Sequence, residues 1–261
     1  MITAASNSRI KRLVQLNQKS KLRRTEGVFL AEGVKMFLEA PREQLQEVYV
    51  SESFLEKCSC REHLEEVGYE VVSDSVFSKI SDTCTPQGVL CVLKQFHYNI
   101  EEMLRDKAPL FLLLENIQDP GNLGTMLRTG EGAGVSGIIM SRDTVDLYNP
   151  KVIRSTMGSI YRVPFYYADD FAAAVRQVQQ AGVSVYAAHL RGKNSYACQD
   201  YTKGTAFLIG NEGNGLREET AELADCYIRI PMEGKVESLN AAVASSILMY
   251  EAHRQRATIE K

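Results

Sequence analysis

Leu110-Phe-Leu-Leu-Leu-Glu-Asn-Ile-Gln-Asp-Pro-Gly-Asn-Leu-Gly-Thr-Met-Leu-Arg128 is the stretch that decides the fold. Its first five residues are large and apolar with no polar alternation, the pattern of a strand covered on both faces. Glu115 to Gly121 then supplies a turn-rich loop, and a helical pattern runs on from Leu123 to Ala133. The alternation continues downstream. Strands are predicted at Gly137–Met140, Arg162–Tyr166, Ser184–Ala188, Ala206–Ile209 and Tyr227–Ile230, with helices at Val152–Ile160, Asp169–Ala181, Arg217–Ala224 and Leu239–Gln255. Strands and helices at these intervals imply an α/β domain with a mostly parallel sheet and helices on both faces.

Upstream lies a smaller module. Short β-like runs at Val28–Ala31, Glu47–Val50, Glu70–Val72 and Gly88–Leu93 alternate with helical patterns at Val34–Ala40, Ser53–Val67 and Asp74–Ile80. A polar stretch, His97–Pro109, ends in proline before the apolar run and reads as a link. The expected layout is a basic arm over 1–24, a small α/β domain over 25–96, a linker over 97–109 and the parallel-sheet domain over 110–261.

No apolar run approaches the roughly 18 to 20 residues that cross a bilayer, and no signal-peptide pattern is visible, so the expected location is cytoplasmic. Six cysteines in 261 residues without a secretory signal read as free thiols. Cys58, Cys60 and His63 lack a second pair at finger-like spacing, so no metal is expected. The formal charge of −3 hides an asymmetry. Arg9, Lys11, Arg12, Lys19, Lys21, Arg23 and Arg24 fall in residues 1–24 with no acid, and removing these seven charges leaves −10 on the rest. A basic arm on an acidic body suits a phosphate backbone, with Arg9, Lys11, Arg12, Lys21, Arg23 and Arg24 as candidate RNA contacts.

Three polar islands stand where a strand gives way to a helix, the place where open α/β sheets gather ligand groups. The first runs from Asn122 to Arg128. Arginine offers a planar five-donor fork suited to phosphate or a developing oxyanion; a salt bridge to Glu131 is its plain structural alternative. The second, Gly210-Asn-Glu-Gly-Asn-Gly215, has glycines that let backbone approach a ligand and a carboxylate at Glu212. It lacks the dinucleotide fingerprint spacing and a P-loop lysine. In the third, Ile230-Pro-Met leads through Gly234 into Glu237-Ser-Leu-Asn240, where Ser238 reads as an N-cap and Ala241 to Ser246 as a small-residue face.

In order and spacing these islands resemble the SpoU/TrmH-type branch of the knotted methyltransferases, enzymes that methylate a ribose 2′-hydroxyl of RNA from S-adenosylmethionine. The motifs that carry the resemblance are Asp119-Pro-Gly-Asn-Leu-Gly-Thr-Met-Leu-Arg128, Leu208-Ile-Gly-Asn-Glu-Gly-Asn-Gly-Leu216 and Ile230-Pro-Met through Ser-Leu-Asn240. The N-terminal half resembles that branch's substrate-binding domain. The resemblance implies a deep trefoil knot in the C-terminal domain, which chain patterning would never suggest. It implies a cofactor held largely by backbone at Gly210, Ile230 and Leu239, with Met232 and Asn240 nearby. It nominates Arg128 for hydrogen-bonding and electrostatic activation of the 2′-oxygen, with proton removal as the alternative, while Asn122, Glu212, Ser238 and Asn240 would orient the arginine, the ribose and the methionine part of the cofactor. It also implies a homodimer paired through the knot helices, for which the small-residue face suits close packing.

Ser159 stands after Gly158 where alanine is common in the family. The arm, and the lack of a long basic extension after Arg256, favour ribosomal over transfer RNA. A catalytically silent RNA-binding relative predicts substitutions in these motifs, and none is present. A dehydrogenase predicts a glycine fingerprint after the first strand, which is missing. A base methyltransferase shares fold and cofactor and differs in its nucleophile.

Overall fold

The structure, a computed structural model, describes residues 1–259, and the chain divides into two units. The first comprises Met1–Phe96 and Asp146–Tyr161. It opens with helices α1 (Ser8–Gln18) and α2 (Ser20–Glu26), followed by β1 (Val28–Glu32), α3 (Val34–Leu38), β2 (Leu45–Ser51), α4 (Glu52–Lys57), α5 (Arg61–Val67), β3 (Glu70–Val72), α6 (Asp74–Ile80) and β4 (Val89–Lys94). The four strands form one sheet in the order β1-β4-β2-β3, antiparallel except for the β2–β3 pair.

The expected arm is part of this unit's body. Ile10, Leu13 and Leu16 fall on one face of α1 and are buried in a cluster with Val28, Leu30, Tyr49 and Phe77. The single helix expected over Ser53–Val67 is two, because Cys58 takes an extended conformation and Cys58-Ser59-Cys60 are all weak helix formers. His63 packs its ring edge-on against Phe37.

The second unit comprises His97–Val145 and Arg162–Lys261. It begins with α7 (Ile100–Met103), capped by Asn99, whose Oδ1 accepts from Glu101 N at 2.8 Å. Ile100 and Met103 are buried in this unit's core. The stretch read as a linker is therefore held by two apolar residues at helical spacing. β5 (Leu110–Leu114), α8 (Pro120–Ala133) and β6 (Gly137–Ser141) follow.

The chain then returns to the first unit for α9 (Pro150–Thr156), which sequence reading assigns to the large domain. There Tyr148 stacks on Phe29 with ring centroids 4.8 Å apart, and Tyr161 donates its hydroxyl to Met36 O at 3.0 Å. Arg23 is 3% exposed and donates from Nη1 to Leu16 O and from Nη2 to Asp146 Oδ2, at 2.6 and 2.5 Å.

β7 (Phe165–Ala168), α10 (Phe171–Gln180), β8 (Ser184–Ala188), β9 (Asn194–Ser195), β10 (Thr205–Ile209), α11 (Glu218–Ala221), β11 (Cys226–Arg229) and α12 (Ala241–Ile259) complete the second unit. Its seven strands pair in parallel in the order β7-β6-β5-β10-β8-β11-β9. Chain order runs outward from β5 to β6 and β7, then resumes across β10. The reversal at β5 and β10 is the switch point at which an open sheet forms its crevice. Among the described residues no helix is long and apolar enough to cross a membrane.

Candidate active site

The three islands meet at the carboxyl ends of β5 and β10. Asp119 caps α8, accepting from Asn122 N at 2.8 Å, with Pro120 in the first turn. That frees the Asn122 side chain from capping. Asn240 Oδ1 accepts from Ala242 N and Val243 N, at 2.9 and 3.2 Å, so Asn240 and not Ser238 caps α12. Both residue types cap equally well, and the helix begins one residue beyond Asn240.

These bonds settle which way each amide faces. With its oxygen occupied, Asn240 donates from Nδ2 to Asn122 Oδ1 at 2.9 Å, and Asn122 in turn donates from Nδ2 to Glu212 Oε1 at 2.9 Å. Glu212 also accepts from Asp119 N at 3.0 Å and Gln118 N at 3.1 Å. Burial pushes the Glu212 carboxyl up, but the bonds from Asn122, Gln118 and Asp119 outweigh it and hold it below the usual glutamate value.

The glycine loop closes on itself. Asn211 and Gly215 exchange backbone bonds of 3.0 and 2.9 Å, while Asn211 Oδ1 accepts from Gly213 N and Asn214 N. A Cβ on Gly210 would lie 2.2 Å from Gly215 C and from Leu216 N, so no other residue fits there. Below this loop runs a cleft of ≈ 270 Å³ whose walls include Gly210, Glu212, Ile230, Met232, Ser238 and Leu239. Asn240, expected beside the cofactor, is not among the residues that line this cleft. Sequence reading missed His189 and Leu190, which also line the cleft, because neither carries a motif. It also missed Glu115, 1% exposed, which accepts from Arg217 N at 2.8 Å and Thr220 Oγ1 at 2.5 Å and ties the loop's exit to β5.

Arg128 is exposed on α8 and forms no ion pair among the described residues. The i+3 alternative fails because Glu131 pairs with Arg162. Ser238 lies in the exposed segment between Ile230 and α12. The small-residue face of α12 is occupied within the unit: Ser246 Oγ lies 3.4 Å from Thr129 Oγ1, and a Cβ on Gly130 would meet Met249 Sδ at 3.7 Å. Among the described residues, Val243 and Tyr250, 48% and 49% exposed, are the large apolar side chains that α12 leaves exposed.

Of the six candidate RNA contacts, three are engaged in the first unit. Arg9 pairs with Glu70 at 2.7 Å, Arg12 with Glu26 and Glu47 at 2.7 and 2.8 Å, and Arg23 is buried as described. Arg23 is thus a structural cation, since its head groups face carbonyls and Asp146 and not solvent. Lys11, Lys21 and Arg24 are exposed and without ion pairs among the described residues.

The sequence pattern of the SpoU rRNA Methylase family matches residues 109–250, and that of an MRM3-like substrate binding domain matches residues 7–91. The 23S rRNA (guanosine(2553)-2'-O)-methyltransferase RlmP of Bacillus subtilis is 32% identical over 252 residues, 95% of this chain and 97% of that protein. An AdoMet-bound rRNA methyltransferase from Sinorhizobium meliloti superposes with a TM-score of 0.84 at 31% identity, over 97% of both chains. The SpoU methyltransferase AviRb from Streptomyces viridochromogenes, in complex with AdoMet, gives 0.87 at 27% identity, over 97% of this chain and 99% of its own.

Proposed function

Because this chain belongs to the SpoU rRNA methylase family, we propose that it transfers a methyl group from S-adenosylmethionine to a ribose 2′-hydroxyl of ribosomal RNA. The observation that carries the reading is the Glu212–Asn122–Asn240 chain, which joins all three motifs beside a cleft lined by residues of the second and third.

The residues fit this cofactor. Gly210, Ile230, Met232 and Leu239 line the cleft, offering backbone at the glycine and apolar surface at the others, without a phosphate-binding lysine. Bound S-adenosylmethionine supplies an electrophilic sulfonium methyl. The chain must then align a ribose oxygen with it and ease loss of the hydroxyl proton. Arg128, charged and without an ion-pair partner among the described residues, hydrogen-bonds the 2′-oxygen and stabilises the negative charge that develops on it. Asn122, Glu212 and Asn240 hold the glycine loop against α8 and the start of α12. Ser238, on the cleft wall, orients the ribose or the amino-acid end of the cofactor.

Lys11, Lys21 and Arg24 of the first unit bind phosphates of the RNA. The enzyme works in the cytoplasm as a homodimer, a reading supported by the exposed Val243 and Tyr250, which lie two turns apart on one face of α12. Insertion of the late strand β10 between β5 and β8 supports the family's trefoil knot.

The test is incubation with methyl-labelled S-adenosylmethionine and total RNA from a host lacking the gene, followed by nuclease digestion. Label in a 2′-O-methyl nucleoside from ribosomal RNA is expected. Label in transfer RNA would move the substrate, label on a base would overturn the ribose assignment, and absence of cofactor binding would overturn the reading.

A further inference from the structure

The cleft wall formed by His189 and Leu190 belongs to none of the three motifs, and we propose that His189 is a specificity-determining hydrogen-bond donor to the adenosine end of the bound cofactor. The inference rests on the functional reading above and deepens it.

His189 is fixed before any ligand arrives. It follows β8 directly, and its N–H donates to Ile228 O at 3.1 Å. Gly192 N donates to His189 O at 2.9 Å, and a Cβ on Gly192 would lie 2.8 Å from the Ile228 carbonyl carbon. The turn 189–192 therefore lies flush on β11. The imidazole stacks on Tyr227, ring centroids 5.0 Å apart and 31° from parallel. Its Nδ1 accepts from Arg191 N at 3.1 Å, which in the neutral ring puts the proton on Nε2. Among the described residues nothing accepts from Nε2, so a ring held on two sides keeps one donor free at a residue that lines the cleft.

Strand order says which end of the cofactor that donor serves. In β5-β10-β8-β11, Glu212 bridges from the end of β10 toward β5 and α8, whereas His189 stands beyond β10 on the β8 side. The methyl must face the acceptor oxygen, on the side of α8 and Arg128. The opposite side receives the nucleoside. Leu190, 60% exposed on the same wall, offers the apolar surface a purine covers. Burial and then Arg191 hold the imidazole below its usual pKa, against Glu218, so the donor is neutral and suits a ribose hydroxyl or purine nitrogen.

Two substitutions separate this role from support of the turn. His189→Asn keeps an acceptor where Nδ1 stands and removes the Nε2 donor; His189→Gln places an amide donor at the reach of Nε2 and removes the turn's acceptor. Calorimetric titration of the full chain with S-adenosylmethionine, and with 5′-methylthioadenosine, which lacks the amino-acid end, reads both. His189→Asn is expected to weaken both ligands about tenfold, the scale of one lost hydrogen bond, with an unchanged melting temperature, and His189→Gln to bind both more tightly than His189→Asn. Wild-type affinity in His189→Asn, weaker binding by His189→Gln than by His189→Asn, or a loss confined to S-adenosylmethionine would each overturn the inference. Failure of the wild type to bind S-adenosylmethionine would fell the functional reading itself.

Discussion

Asn122 donates to Glu212 across 90 residues of sequence, at 2.9 Å, and this bond joins the helix that carries Arg128 to the loop that roofs the cleft. Glu212 accepts two backbone N–H groups besides. All three bonds run toward one carboxylate, so the site needs its charge as well as its shape.

Replacing Glu212 by Gln turns one acceptor into a donor that faces other donors. Bonds to a charged group contribute about 1.5 to 3 kcal/mol, so kcat/KM for methyl transfer should fall about 10- to 100-fold. Steady-state assays with labelled cofactor decide it. Turnover within twofold of wild type would show that the loop holds itself.

The same carboxylate sets a pH signature. Its folded pKa lies below its unfolded value, so its contribution to stability is complete above about pH 4.3 and is lost as pH falls through the folded value. Asp143 acts in the same direction, because bonds from Ser141 and Arg217 outweigh its burial. Melting temperatures of wild type and Glu212→Gln should differ by a constant amount from pH 8 to about pH 5 and converge only below that. Convergence near neutral pH would point to another group.

Arg128→Ala should abolish transfer while S-adenosylmethionine binds within about threefold of wild type. Arg128→Lys, which keeps charge and loses the fork, should recover only a small fraction. Retained turnover in Arg128→Ala would remove this residue from the chemistry.

The basic N-terminal segment divides into two classes. Arg23→Ala leaves Asp146 and the Leu16 and Asn17 carbonyls without their donor and should cost about 2 to 4 kcal/mol in chemical denaturation, less than a fully buried pair because Asp146 keeps some exposure. Replacing Lys11, Lys21 and Arg24 together by Ala should leave stability unchanged. It should weaken RNA binding and lower the salt slope by about 0.7 to 0.9 for each phosphate no longer neutralised. An unchanged slope would place the RNA on another surface.

Tyr250→Glu or Val243→Glu should shift a dimer toward monomer in sedimentation velocity, since a carboxylate buried at an interface is costly. A wild-type chain that sediments as a monomer at micromolar concentration would end the dimer reading.

The strands, and the places where they hand over to the three islands, were legible because burial on both faces and turn chemistry are local signals. Leu110–Leu114 and Ser184–Ala188 begin and end where the pattern says. What escaped depends on partners remote in sequence. The cations of Arg9, Arg12 and Arg23 look alike in a string of residues, and only the folded unit brings Glu70, Glu47 and Asp146 to them. Asp146 to Tyr161 carries no mark that it packs with β1 and not with the strands that flank it. His189 is a lone histidine until Tyr227 of β11 and the Arg191 N–H fix its ring.

The Asn122–Asn240 bond closes 118 residues of chain, whereas the first unit needs nothing after Tyr161. The order of translation thereby becomes part of the chemistry. A product cut short after Tyr161 and before Ile230, by a stalled ribosome or a premature stop codon, has every residue of the first unit and none of the third motif. Copies of that length are expected to leave RNA unmarked, because the helix α12 that Asn240 caps has not been made.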